Sequence, residues 1–88
     1  MTRSFDLTVL TPEGEAFSSR VRALSLRTEE GLLTLLCGHA PLVACLSHGL
    51  VRILCEDGRE FSGRAERGIL SFSENRALLL CTALLDAE

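Results

Sequence analysis

At 88 residues, with 47% apolar and 24% charged side chains, the chain has the composition of one small domain spanning residues 1–88 and not of a disordered segment. A net charge of −3, with nine arginines interspersed among twelve acids, leaves no basic block to track a phosphate backbone, so no nucleic acid is an expected partner. No apolar run reaches the roughly 18–20 residues of a membrane-spanning helix, and Met1-Thr2-Arg3-Ser4 leads straight into strand-like alternation instead of a secretory leader, which sets the expectation of an intracellular protein.

Phe5, Leu7 and Val9 alternate with Asp6 and Thr8, the period of a strand with one face in a core, and Thr11-Pro12-Glu13-Gly14 supplies a turn. Ala16-Phe17 reads as a short strand. In the next, Arg20 to Leu26, Val21 has one parity and Leu24 and Leu26 the other, so a bulge near Arg22-Ala23 is needed to bring all three inward. Thr28-Glu29-Glu30-Gly31 is a polar turn before an apolar segment that Gly38, His39 and Pro41 break into strand, corner, strand, because proline lacks a ladder N–H and pushes its predecessor toward extended geometry. Leu42 to Leu46 then reads as a short buried strand.

Ser47-His48-Gly49 turns into Leu50 to Cys55. A two-residue loop at Asp57-Gly58 would waste the apolar face of the following hairpin. A three-residue loop, Glu56-Asp57-Gly58, with Gly58 in the left-handed region, pairs Ile53 with Phe61 and Val51 with Gly63, and that register is the predicted one. Arg67-Gly68 leads into Ile69 to Phe72, Ser73-Glu74-Asn75 turns, and Arg76 to Thr82 is the last predicted strand. The Leu78-Leu79-Leu80 run also fits a helix, but turns every 8–12 residues favour a strand and a small all-β sandwich or barrel.

Chemistry is sparse. Cys37, His39, Cys45 and His48 would satisfy tetrahedral zinc if the fold gathered them, yet their spacing matches no recognised site. The plainer reading is a turn histidine bonded to backbone and four packed, reduced thiols, Cys37, Cys45, Cys55 and Cys81. Ser47 and His48 are adjacent, which in an extended segment points them to opposite sides. No nucleophile elbow, phosphate-binding loop or metalloprotease motif occurs. Neither catalysis, a resident metal nor a cofactor is expected. Glu29-Glu30 is more useful as a charged contact surface than as a paired-carboxylate site.

Several stretches occur together at fixed separations: Phe5-Asp6-Leu7-Thr8-Val9-Leu10-Thr11-Pro12-Glu13, Phe17-Ser18, Val21 with Leu24, Glu30-Gly31, Gly38-His39-Ala40-Pro41-Leu42-Val43, Gly49-Leu50-Val51-Arg52-Ile53 and Gly68-Ile69-Leu70. In these the chain resembles the N-terminal domain of the epsilon subunit of F-type ATP synthases along nearly its whole length. The resemblance implies an all-β fold, a ten-stranded β-sandwich of two sheets, acting as a non-catalytic part of the rotor's central stalk. It implies the gamma subunit and the c-ring as partners, no small-molecule substrate, and contact with the membrane only through the complex, at the cytoplasmic face of the bacterial inner membrane. The partner-binding residues it implies are Glu29, Glu30, Gly31 and Leu32 in the turn, and His39, Ala40, Pro41 and Leu42 at the corner.

The chain departs from the family pattern at Cys37, where a proline is usual, at Arg67, which replaces the first of two glycines, and at Leu32, where a polar or acidic residue is common. The family usually continues into a helical hairpin, whereas this sequence stops at Glu88, so the expectation is an epsilon that does not inhibit ATP hydrolysis. The alternative is a free-standing β-sandwich that binds another protein, since fold alone does not fix function.

Overall fold

The computed structural model describes residues 3–82 and 85–86, which form nine strands and no helix. In chain order they are β1 (Phe5–Thr11), β2 (Gly14–Thr28), β3 (Gly31–Leu36), β4 (Leu42–Leu46), β5 (Gly49–Cys55), β6 (Glu60–Ala65), β7 (Gly68–Ser73), β8 (Arg76–Cys81) and β9 (Leu85–Asp86). One layer runs in the order β2, β1, β8, β7, β4, and the other in the order β3, β2, β5, β6, β9. β2 belongs to both. Its first half pairs with β1, from Thr11↔Gly14 to Phe5↔Val21, and its second half lies between β5 and β3.

The all-β sandwich is the expected class. Nine strands stand among the described residues where ten were expected, in part because the two pieces foreseen around Phe17 and Val21 are one strand. Ser18 and Ser19 continue the ladder opposite Thr8 and Leu7, and as exposed polar residues at the layer's edge they interrupt the apolar pattern without interrupting the pairing. The register of β2 on β5 shifts between Val21 and Ala23, and Val21, Leu24 and Leu26 are all buried. This is the predicted bulge, and it lets one strand turn its apolar side inward in both layers.

β9 lies beyond the last predicted strand, pairing Leu85 with Arg64 and Asp86 with Gly63. Two residues are too few for a period to be read from sequence.

The core is the set of inward residues that alternation selects: Phe5, Leu7 and Val9 from β1, Leu70 and Phe72 from β7, Ala77 and Leu79 from β8, and Val51 and Ile53 from β5. Phe5 and Phe72 meet edge to face, with centroids 5.4 Å apart and planes at 89°, the arrangement ring quadrupoles favour. The β5–β6 hairpin has the predicted three-residue loop: Ile53 pairs with Phe61, Val51 with Gly63, and Gly58 has φ +95°. The β7–β8 loop holds two residues, Glu74 and Asn75, both left-handed at φ 50° and 57°, the mirror-image turn that suits strand twist.

Two expectations fail on burial. β4 is not a buried strand: Val43 and Cys45 point out of the sandwich, and only Leu46 is fully buried. Of the four thiols only Cys55 and Cys81 are buried, whereas Cys37 is half-buried and Cys45 exposed. Val43 and Cys45 lie on the outward parity of β4, in line with Ser71 and Ile69 of β7, so alternation turns them to solvent, and Cys37 lies in the turn that follows β3.

Candidate partner-docking surface

The turn holding Glu29 and Glu30 is built by its flanking threonine and glycine. Thr28 Oγ1 donates to the Gly31 carbonyl at 2.9 Å and accepts from Glu30 N–H at 3.1 Å, while Glu29 N–H donates to the Cys45 carbonyl at 3.1 Å. Side-chain capping of this kind is why threonine and serine mark turns. The first hairpin repeats the device, with Thr11 Oγ1 donating to Gly14 and accepting from Glu13 N–H. The matching Thr-x-Glu-Gly spelling of the two turns is the sequence signal for it. Glu29 and Glu30 are thereby held out in solvent, and Leu32 follows at 74% exposure.

The corner is fixed from inside. Gly38 N–H donates to Asn75 Oδ1 at 2.8 Å, His39 N–H donates to the Leu36 carbonyl at 3.2 Å, and His39 Nδ1–H donates to the Ala40 carbonyl at 2.7 Å. The His39 ring stands edge-on to Phe72, centroids 6.1 Å apart. His39, Ala40 and Pro41 are exposed, and Leu42 is half-buried against the core.

The structure does not bring the two segments together. Thr28 pairs with Leu46 at one end of β4, whereas Leu42 begins its other end beside Phe72. At roughly 3.3 Å per residue the four steps of β4 alone separate them by about 13 Å. What joins them is a sheet face that burial-based reading of β4 missed. Across β4, β7 and β8, Val43 stands opposite Ser71 and then Leu78, and Cys45 opposite Ile69 and then Leu80, with Leu10 of β1 continuing the second row. Val43 is 75% exposed, and Ile69 and Leu80 are each nearly half exposed.

This outer face is graded. Its Leu80 end is apolar and is rimmed by Arg67, Thr82 and the Glu29–Glu30 turn. Its other end, lined by Asp6, Arg20, Ser71, Ser73 and Arg76, is polar. An apolar patch rimmed by polar groups is the anatomy of a protein-binding surface.

At the polar end Arg20 organises a network. Its Nη2 donates to Ser4 Oγ at 2.7 Å, its Nη1 meets Asp6 at 3.2 Å, and Ser4 Oγ donates to Glu56 Oε2 at 2.6 Å. The buried Ser4 hydroxyl is fully used by these partners, so the group stitches β1 to β2 and to the β5–β6 turn instead of presenting a nucleophile. Beside it Asp57 accepts from Arg59 N–H at 3.0 Å and from Arg59 Nε at 2.8 Å; the backbone bond first, then the guanidinium, holds its carboxyl below the usual carboxylate range. Burial pushes the Cys55 thiol up, the Asp57 carboxylate adds to this and Arg59 opposes it. Among the described residues no three of the histidines, cysteines and acids come together as metal ligands.

Residues 4–87 match the family model for the ATP synthase delta/epsilon chain, beta-sandwich domain. The chain belongs to that family. It is 37% identical over 78 residues to the ATP synthase epsilon chain of Chlorobium limicola and 35% identical to that of Chlorobaculum tepidum, in each case covering 89% of both chains. Against the epsilon chain of Clostridium kluyveri it is 32% identical and spans 61% of that chain's length. The same fold occurs in a chain of the Euglena gracilis mitochondrial ATP synthase, with a TM-score of 0.89 at 20% identity, covering 94% of this chain and 53% of that one. The turn, the corner and the graded face of this chain lie open to solvent.

Proposed function

We propose that this chain is a non-catalytic central-stalk subunit of the ATP synthase rotor, joining the gamma subunit to the c-ring so that ion flow and ATP synthesis are coupled. The observation that carries the docking assignment is the exposed apolar face formed by Val43, Ile69, Leu78 and Leu80. An epsilon chain does no chemistry, and a rigid sandwich with an open apolar face suits torque transmission: a packed β core deforms little, and the face supplies adhesion to a neighbour.

On this reading gamma covers the apolar rows and reaches the His39-Ala40-Pro41-Leu42 corner. The Glu29-Glu30-Gly31-Leu32 turn, at the rim, meets the polar loops of the c-ring. The subunit then sits peripherally at the cytoplasmic face of the bacterial inner membrane, held there by the complex alone.

Co-purification of the chain with its cognate gamma tests this. Burying a Val or Ile side chain contributes about 1.5–3 kcal/mol, so Val43→Asp with Ile69→Asp weakens gamma binding at least about tenfold while circular dichroism stays unchanged. Equal capture of gamma by the parent and the double variant would overturn the assignment of the face. Failure of the parent chain to bind gamma at all would overturn the rotor reading.

A further inference from the structure

β3 closes the second layer as an edge. Gly31–Leu36 pairs with β2 along one side, and no strand among the described residues pairs with the other. The two-residue loop makes Thr28↔Gly31 a mutually bonded pair, so alternation along the ladder turns the N–H and C=O groups of Leu32, Thr34 and Leu36 away from β2. The segment Gly-Leu-Leu-Thr-Leu-Leu carries no charge and no proline, the devices by which edge strands normally refuse pairing. Leu32 at 74% and Leu36 at 55% exposure stand on its outer face.

We propose that β3 pairs with β3 of a second copy of this chain, antiparallel about a twofold axis through Thr34. The register follows from parity. Inward side chains must continue inward across the junction, and a slip of one residue would set every one of them against the wrong face. Centring on Thr34 satisfies this: Leu32 meets Leu36 of the second copy, Leu33 meets Leu35, and the two Thr34 residues face each other. The groups left free by the β2 ladder, on Leu32, Thr34 and Leu36, are then the ones that bond. The Leu36 carbonyl already accepts from His39 N–H at 3.2 Å and keeps a second lone pair. Thr34 Oγ1 lies 3.1 Å from Ser25 Oγ, and the second copy extends that row of hydroxyls.

Charge selects a second copy over any other extended strand. Continued past the ladder, this register sets Glu29 and Glu30 of one copy against His39 and Gly38 of the other. Arg3 belongs to that corner: its Nη2 lies 3.9 Å from where a Cβ on Gly38 would stand. No ion pair engages Arg3, Glu29 or Glu30 among the described residues. The acidic turn and the basic corner, which lie at opposite ends of β3 in one molecule, are brought together twice by the twofold axis. The pairing rests on β3 and its flanks and holds whichever partner takes the outer face of the other layer. A paired copy has Glu29, Glu30 and His39 covered, so self-pairing and rotor assembly through those residues exclude each other.

Sedimentation of the full chain across a concentration series reaching hundreds of micromolar tests the proposal. The expected result is a reversible passage from one copy to two. Thr34→Pro removes the N–H at the axis on the side of the strand that the fold does not use, where edge strands tolerate proline. It keeps the native circular dichroism and raises the dissociation constant at least about tenfold. Glu29→Arg with Glu30→Arg weakens pairing by a similar factor, and adding Arg3→Glu to that variant restores it. A chain that stays single throughout overturns the proposal, as does a pair indifferent to Thr34→Pro. A pair broken by Thr34→Pro but blind to the charge reversal and its rescue overturns the twofold register.

Discussion

Gly68 opens β7 where the chain passes between Leu46 of β4 and Cys81 of β8. A Cβ at this position would lie 2.1 Å from the Leu80 carbonyl oxygen and 3.0 Å from both Cα and Cβ of Cys81. Carbon–oxygen contacts in sheets run at about 3.3–3.6 Å, so Gly68→Ala forces the ladder apart by more than an ångström. The obstacle is backbone and cannot rotate away. Gly68 does not have a positive φ, so the penalty is steric and not conformational. Overpacking a well-filled site costs about 1–3 kcal/mol, occasionally more, and a backbone clash belongs at the upper end. With a urea m-value near 1 kcal/mol/M for so small a chain, the midpoint falls by about 2–3 M. Gly49→Ala is the control, because the atoms nearest its added Cβ belong to the flexible Arg27 side chain, the closest at 3.6 Å, an ordinary contact. Urea unfolding of the two variants reads the difference, and a Gly68→Ala midpoint equal to that of the parent would refute the reasoning.

Other variants probe the polar end and the hairpin loop. Arg20→Ala leaves Ser4 and Asp6 without their guanidinium and costs about 1 kcal/mol, most of it from the buried Ser4 hydroxyl and little from the half-exposed ion pairs, so raised salt recovers none of the loss. Asp57 has a folded pKa below its unfolded one, so its contribution is present above about pH 3.9 and is lost as pH falls through the folded value; Asp57→Asn flattens the acid limb of the stability–pH curve there. Cys55 has the opposite sign: its raised pKa gives stability that is complete below about pH 8.5 and is lost as pH rises, and Cys55→Ala removes that alkaline slope.

Much of the fold is legible in the residues because alternation and turn chemistry agree. The conflict of parity between Val21 and Leu24 demands a bulge, and the bulge is there. The apolar face of β5 demands a three-residue loop, and Gly58 supplies its left-handed position. What escapes is whatever depends on a strand's neighbours. Val43 and Cys45 look buried in sequence because valine and cysteine usually are, yet both sit on the outward parity of β4, on the face that Ile69 and Leu80 share. For the same reason the graded face across Ile69 and Leu80 could not be assembled beforehand: its rows come from β4, β7 and β8, whose pairing is a matter of tertiary order. The turn at Glu29 and the corner at His39 are close in sequence, and only the course of β3 and β4 between them shows that they mark opposite ends.

Cys45 ends the row that Leu10, Leu80 and Ile69 form on the face assigned to gamma, and it is exposed in the free chain. Its alkylation, followed residue by residue by mass spectrometry, therefore reports directly on whether that face is covered. The account predicts rapid labelling of Cys45 in the isolated chain, with Cys55 protected by burial, and at least a tenfold slowing at Cys45 in the assembled ATP synthase. Equal labelling of Cys45 in the free and assembled states would contradict it.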